Sequence, residues 1–238
     1  MPKTTDIGTA GEANKAIGGV PTIYYYDFMS RGRGEALRLF FEEAGIAFKD
    51  FRWSFDERNK EMNEHSRAKT NPVGSLPYLD LEGRILTQSY PTMRYLSAKL
   101  GKYDGKTLDE KYFVDQVCDL CLDWRTRFVD TAFVTDANGL NQNEDGSPFQ
   151  KHKEFSMPKY VKGVEGQLAK SPYGGPFTLG ETITYADIVL YQIYHDESKY
   201  GGIDDLLATD APKIKALVAA VAARPNIKAY FASERYYD

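Results

Sequence analysis

The chain has 238 residues, 42% of them hydrophobic and 27% charged, with a formal net charge of −4 at pH 7. That balance supports one large globular domain or two small ones, and it excludes a general nucleic-acid binder, which would carry a basic face. No apolar run approaches the roughly 18 residues needed to cross a bilayer, and two cysteines are too few for a disulfide framework, so a cytoplasmic protein with no membrane partner is expected.

Residues 1–20, MPKTTDIGTAGEANKAIGGV, are rich in Gly, Ala and Thr and lack the apolar stretch of a secretory leader; a flexible tail is expected there. Residues 22–28, TIYYYDF, form an apolar β-type run that ends in the turn residues Ser30, Arg31 and Gly32. Ala36, Leu37, Leu39, Phe40, Phe41 and Ala44 then recur at helical spacing, with Gly45 placed to cap the helix. Ile46–Trp53 reads as a second strand, which closes a right-handed βαβ unit with parallel strands. A polar, weakly helical stretch covers Glu57–Lys69 and leads to Asn71-Pro72-Val73-Gly74. A hairpin follows, Tyr78–Leu81 and Arg84–Thr87 about a Glu82-Gly83 turn. The next helix starts at Ser89, with Pro91 in its first turn, and ends at Gly101.

Past a linker at 102–106 the pattern becomes wholly helical. One long amphipathic helix is expected over 108–135, then a polar loop over 136–148, then helices at 149–170, 184–200, 211–223 and 226–233. The expected fold is therefore an α/β thioredoxin-like domain, β-α-β-α-β-β-α, over residues 21–102, followed by an all-α domain over 103–238.

Six local motifs, in order, resemble the glutathione S-transferases, and the match runs from about residue 22 to residue 236. They are Tyr26-x5-Gly32-Arg33-Gly34-Glu35; Gly74-Ser75-Leu76-Pro77; Gln88-Ser89; Val114-Asp115-x-Val117-x-Asp119-x3-Asp123-x-Arg125; Gly180-x3-Thr184-x2-Asp187; and Ala223-Arg224-Pro225-x2-Lys228-Ala229. The resemblance is to the cytosolic tyrosine-type classes, among them pi, alpha, mu and sigma. It implies a homodimer that uses glutathione as co-substrate and conjugates it to small hydrophobic electrophiles in detoxification. A glutathione-dependent isomerase and a non-catalytic glutathione-fold binding protein are the alternatives.

The chemistry of such a site starts from the thiol. Glutathione's sulfhydryl titrates near ~8.5, and each unit of lowering needs about 1.4 kcal/mol of preference for the thiolate. One charge-assisted hydrogen bond is worth roughly 1.5–3 kcal/mol, enough for a shift of one to two units. The resemblance gives this donor role to Tyr26. Counting back from Arg38, the common spacing falls on Asp27, and a one-residue insertion in the loop restores Tyr26. Ser30 is the alternative hydroxyl. Tyr25 should face the opposite side of the strand from Tyr26.

For glutathione itself, the resemblance implies a cis peptide between Leu76 and Pro77, with backbone from Ser75 pairing with the cysteinyl residue. Gln88 and Ser89 open a helix, where free N–H groups favour the γ-glutamyl carboxylate; an ordinary serine cap is the competing reading. Arg33, with Lys69 or Arg67, is a candidate for the glycine carboxylate. Asp123 is assigned, by the resemblance, to the γ-glutamyl ammonium across a dimer, against a simple intrahelical ion pair.

Phe28 and Met29, with Trp124, Phe128 and Phe133, are the candidate electrophile wall, although aromatic residues at helical spacing also make cores. The 136–148 loop is a candidate lid. Thr184 and Asp187 form a capping box with a structural role. Cys118-x-x-Cys121 lies inside a helix and reads as core rather than as a redox pair. The three histidines are scattered, and no metal is expected.

Overall fold

A computed structural model describes residues 3–54, 75–132, 134–136, 139–141 and 148–237. The expected helix at 57–69, with Arg67 and Lys69, the turn at 71–74, Phe133 and most of the 136–148 loop lie outside the described residues. The chain forms two compact units, Met1–Asp104 with Ala222–Asp238, and Gly105–Val221.

The first unit is built on a five-stranded mixed sheet of β1 (Lys3–Ile7), β2 (Thr22–Tyr26), β3 (Phe48–Trp53), β4 (Tyr78–Leu81) and β5 (Arg84–Thr87), in the order β1-β3-β2-β4-β5. β2 and β3 are parallel, as a βαβ crossover requires, and the other neighbours are antiparallel. The crossover helix is α2 (Gly32–Ala44), while α1 (Glu12–Ile17) packs against α3 (Ser89–Leu100). Ile23, Leu37, Phe40, Phe41, Phe48, Leu79, Met93 and Leu96 fill the core. The β4–β5 turn uses left-handed backbone at Glu82 and Gly83, matching the twist of the two strands.

Within the expected tail of residues 1–20, the described residues 3–20 are structured. Lys3–Ile7 pairs antiparallel with β3, from Lys3 opposite Arg52 to Ile7 opposite Phe48. In α1 the Asn14 side chain donates to Ala47 O (2.8 Å) and accepts from Ala47 N (3.0 Å), and Ile17 is fully buried. An edge strand buries little, and its partner lies over forty residues away in sequence, so no local apolar pattern announces it.

The C-terminal end also differs from expectation, because α10 (Pro225–Phe231) belongs to the first unit and packs on α2. Polar bonds fix it there. Tyr230 Oη donates to Glu35 Oε1 (2.9 Å), Arg224 Nε to Glu43 Oε1 (2.9 Å), and Asn226 Nδ2 to Glu43 O (3.1 Å).

Beneath α2 runs a buried charge network. Arg38, 1% exposed, holds Asp50 with two bonds of 3.0 Å and reaches Glu35 Oε2 at 3.3 Å; Arg52 Nε donates to Asp50 Oδ2 at 2.8 Å. Burial works to raise the Asp50 carboxyl, but the Arg38 and Arg52 guanidiniums outweigh it and hold its pKa below the ordinary value. Glu35 goes the other way. Burial pushes it up to about 7, against the opposing pull of Arg38 and Tyr230.

This raised pKa has a consequence for stability. An unfolded glutamate ionises near 4.3, so between about pH 4 and 7 the folded chain keeps a proton that the unfolded chain releases. The contribution of Glu35 is therefore greatest below that window and declines as pH rises through it. Relative to Glu35→Gln, the wild-type chain should lose on the order of 2 kcal/mol between pH 5 and 7.5, read as a difference in the slopes of melting temperature against pH. Parallel slopes would place the ionised form of Glu35 in the folded chain throughout.

The second unit is helical: α4 (Leu108–Ala132), α5 (Pro148–Lys151), a π-helical turn at His152–Ser156, α6 (Met157–Leu168), α7 (Tyr185–Ser198), α8 (Ile203–Thr209) and α9 (Pro212–Ala222). A short strand pair, β6 (Val134–Asp136) and β7 (Gly139–Asn141), follows α4. Thr107 and Glu110 cap the start of α4 reciprocally, Thr107 N donating to Glu110 Oε2 (3.0 Å) and Glu110 N to Thr107 Oγ1 (3.2 Å). No described helix is long and apolar enough to cross a membrane.

Candidate functional site

Strand register brings the predicted residues to one end of the sheet. Tyr24 on β2 lies opposite Tyr78 on β4, and Tyr78 lies opposite Thr87 on β5. Two residues further along β2 is Tyr26. Antiparallel pairing carries that direction back along β4 toward Leu76, and Gln88-Ser89 follows directly from Thr87. The end of β2, the start of β4 and the start of α3 therefore converge, although more than sixty residues separate the first from the last.

Each segment has a distinct backbone. The Leu76–Pro77 peptide is cis. Ser75 and Leu76 are half-buried, while Pro77 is buried. Gln88 sits at φ +67°, a left-handed conformation rare outside glycine, which aims the chain into α3. Gln88 is exposed and Ser89 is buried in the first turn of α3. The N-terminal end of a helix carries the positive end of its dipole, which suits a carboxylate.

The first two tyrosines of β2 divide between the two faces. Tyr24 stacks on Tyr78 with ring centroids 4.6 Å apart and packs against Phe51 (5.0 Å) and Trp53 (5.7 Å). Tyr25 faces α2, and its ring lies on the helix start. A Cβ at Gly34 would stand 2.3 Å from Tyr25 Cδ1, and one at Gly32 would stand 2.5 Å from Tyr25 Oη. The Gly32-x-Gly34 spacing exists because an aromatic ring occupies the space of two side chains. Tyr26 is half-buried at the end of the strand, and its ring centre lies 5.7 Å from that of Tyr25.

Ser30 has other commitments. It is fully buried, its Oγ accepts from Tyr237 N (3.1 Å), and its amide donates to Tyr237 O (2.7 Å). Phe28 and Met29 are half-buried on the same loop, with Met29 at φ +51°. Arg33 is half-buried in the first turn of α2.

The aromatic residues proposed for the long helix take different places. Trp124 is fully buried in the second unit; its indole N–H donates to Glu197 Oε1 (2.7 Å), and its ring stacks on Tyr160 (6.4 Å, 3°). Phe128, 1% exposed, packs against His152 (5.8 Å) and Tyr200 (5.5 Å). Both are core residues of that unit, because they lie on the face of α4 turned toward the other helices. His152 Nε2 lies 2.6 Å from the same Glu197 oxygen. Arg125 bonds Asp196 and Gln192. Asp123 is exposed on α4.

Thr184 and Asp187 are structural. The buried Asp187 carboxylate accepts from Thr184 N (2.6 Å), Thr184 Oγ1 (2.8 Å), Thr178 N (2.7 Å) and Thr178 Oγ1 (2.7 Å), which fixes the start of α7. Cys118 and Cys121 are buried free thiols, and burial raises Cys121 well above an ordinary cysteine, which suits packing rather than redox exchange. Among the described residues, no group of three or more His, Cys, Asp or Glu side chains is placed to hold a metal.

The loop contacts of Asp27, Arg52 and Tyr237 are not legible in the sequence. Arg52 Nη1 reaches Tyr237 Oη (2.6 Å), Met29 O (3.3 Å) and Asp27 Oδ1 (3.4 Å), and Tyr237 Oη donates to the Asp27 carboxylate. No local pattern links residue 27 to residue 237.

Residues 21–98 match the family model for the glutathione S-transferase N-terminal domain, and residues 122–234 match one for the glutathione S-transferase C-terminal domain. A glutathione S-transferase of Plasmodium yoelii yoelii is 30% identical over 221 residues, covering 89% of this chain and 97% of that protein. Glutathione S-transferase 1 of Ascaris suum is 31% identical over 211 residues, covering 87% and 93%. A solved glutathione S-transferase of Caenorhabditis elegans aligns at TM-score 0.71 with 30% identity, covering 92% of this chain and 99% of that one. With the thioredoxin-like sheet, its cis-proline loop and the helical second unit matched at this level, the chain belongs to the glutathione S-transferase family.

Proposed function

We propose that this protein joins the thiolate of glutathione to small hydrophobic electrophiles, with Tyr26 donating the hydrogen bond that favours the thiolate. The observation that carries the reading is the convergence of Tyr26, the cis Leu76–Pro77 loop and the Gln88-Ser89 helix start at one end of the sheet. Glutathione would lie along this end. Its γ-glutamyl carboxylate meets the Ser89 end of α3, its cysteinyl backbone pairs beside Ser75 and Leu76, and its glycine carboxylate is served by Arg33 and Lys69. Catalysis comes from raising the thiolate population and from holding both reactants together.

Tyr26 is favoured over Ser30 because the serine hydroxyl is buried and bonded to the Tyr237 amide. Phe28 and Met29 supply the apolar side of the electrophile site, since Trp124 and Phe128 are engaged inside the second unit. The proposal includes a cytoplasmic homodimer, in which the exposed Asp123 is available to a partner's γ-glutamyl ammonium. The test is glutathione-dependent turnover of a chromogenic aryl halide. Saturable turnover above the uncatalysed rate is expected; retention on immobilised glutathione with no turnover would favour a non-catalytic binding role.

A further inference from the structure

We infer that Tyr237, the last residue but one of the sequence, is a positioning residue for thiol activation, clamping the loop that follows Tyr26 and carries Phe28 and Met29; the inference rests on the function proposed above. The loop runs from Asp27 to Arg31, between β2 and α2. Its first residue is tied on both sides: Asp27 N donates to Trp53 O (2.8 Å), and the Asp27 carboxylate accepts from Arg52 and from the Tyr237 phenol. Its last buried residue, Ser30, exchanges two bonds with the backbone of Tyr237, at 2.7 and 3.1 Å. Between them Met29 holds φ +51° while its carbonyl accepts from Arg52 Nη1. A non-glycine residue stays in that conformation only where its surroundings over-determine it, and here Tyr237 and Arg52 supply the surroundings.

The polarity of the clamp is ordered. Arg52 donates to the Tyr237 oxygen, and the Tyr237 hydroxyl donates to Asp27. The Arg52 guanidinium also stands 5.1 Å from the centre of the Tyr237 ring. Burial and the bond to Asp27 push the phenol up to about 12, so it remains a donor at every pH at which the enzyme would work. Tyr26 immediately precedes this clamped segment. A displacement of about 1 Å in a catalytic group can cost on the order of 100-fold, so a loop freed at Asp27 and Ser30 would misplace the Tyr26 hydroxyl while leaving the α3 end of the glutathione site intact.

The experiment compares Tyr237→Phe, Tyr237→Ala, Asp27→Asn and the double variant Asp27→Asn/Tyr237→Phe in the full chain. Three quantities are read: glutathione Kd by calorimetry, the pKa of the bound thiol by thiolate absorbance, and kcat/KM for an aryl halide. Tyr237→Ala is expected to lower kcat/KM about tenfold and raise the bound-thiol pKa by about one unit, with glutathione Kd within about twofold of wild type. Tyr237→Phe and Asp27→Asn should each cost about threefold, and the double variant no more than Tyr237→Phe, because one removes the donor of the phenol–Asp27 bond and the other only the charge of its acceptor. Unchanged thiol pKa in folded Tyr237→Ala, or additive losses in the double variant, would overturn the inference. If Tyr237→Ala fails to fold, the Phe and Asn variants decide the matter by the same criteria. Failure of the underlying reading is distinguishable, since the wild-type chain would then leave the bound thiol at its solution pKa.

Discussion

Tyr26→Phe is expected to lower kcat/KM for an aryl halide by about 10- to 100-fold and to raise the bound-thiol pKa by about one to two units, with glutathione affinity nearly unchanged. The variant removes one hydroxyl and keeps the ring, so strand packing at the end of β2 survives. The lost bond acts on the thiolate and not on the carboxylates that anchor the tripeptide. Its loss therefore falls on the reactive species, which is the signature of an interaction made in the transition state rather than in binding. Tyr25→Phe is the informative companion. Its ring rests on Gly34 and its hydroxyl lies beside Gly32 on the α2 face, so removing that hydroxyl should leave the thiol pKa where it is and touch only the contacts of the helix start. Full activity in Tyr26→Phe would remove Tyr26 from its role. Activity lost instead in Tyr25→Phe would move the thiol to the other face of β2.

The largest stability effect is expected from Arg38→Met. Arg38 is 1% exposed, neutralises Asp50 through two bonds, reaches Glu35 and stands 5.9 Å from the centre of the Tyr25 ring. Methionine fills most of the volume but leaves two buried carboxyls short of a cation. Breaking a buried pair from one side costs about 3–5 kcal/mol, a large part of the roughly 5–15 kcal/mol that holds a folded protein together. At about 2–4 °C per kcal/mol for a chain of this size, the melting temperature should fall by roughly 6–20 °C. Arg38→Lys should recover only part of this, because an ammonium cannot hold both Asp50 oxygens in the planar fork of a guanidinium. A shift of under about 3 °C in Arg38→Met would mean that Arg52 alone satisfies Asp50.

Much of the fold is legible in the sequence because its signals are local. The β4–β5 hairpin follows from a two-residue turn between apolar runs, α2 from its helical periodicity and Gly45, and the start of α7 from Thr184-x-x-Asp187. What stays hidden is non-local. β1 carries one buried apolar residue and draws its stability from β3, so its composition resembles a tail. The final helix is visible as a helix, but its place on α2 depends on Glu35 and Glu43, two carboxylates that a helical pattern assigns to solvent.

The candidate site divides in the same way. The cis Leu76–Pro77 peptide is expected only through the family resemblance, because the sequence by itself reads Pro77 as the start of a strand. Alternation separates Tyr24 from Tyr25, but at the strand end it does not set the Tyr26 ring, which lies 5.7 Å from the Tyr25 ring. Trp124 and Phe128 illustrate a further case. Aromatic residues at helical spacing can line a cleft or a core, and only the helices around α4 decide between them. Nothing local distinguishes Asp27 as the anchor of a clamp, because its partners are Arg52 and Tyr237.

A crystal structure with glutathione bound tests the central claim most directly. The sulfur is expected about 3 Å from Tyr26 Oη, with the γ-glutamyl carboxylate at the amides that open α3 and the cysteinyl backbone paired beside Leu76. A tripeptide bound away from this end of the sheet, or a sulfur held by a different hydroxyl, would contradict it.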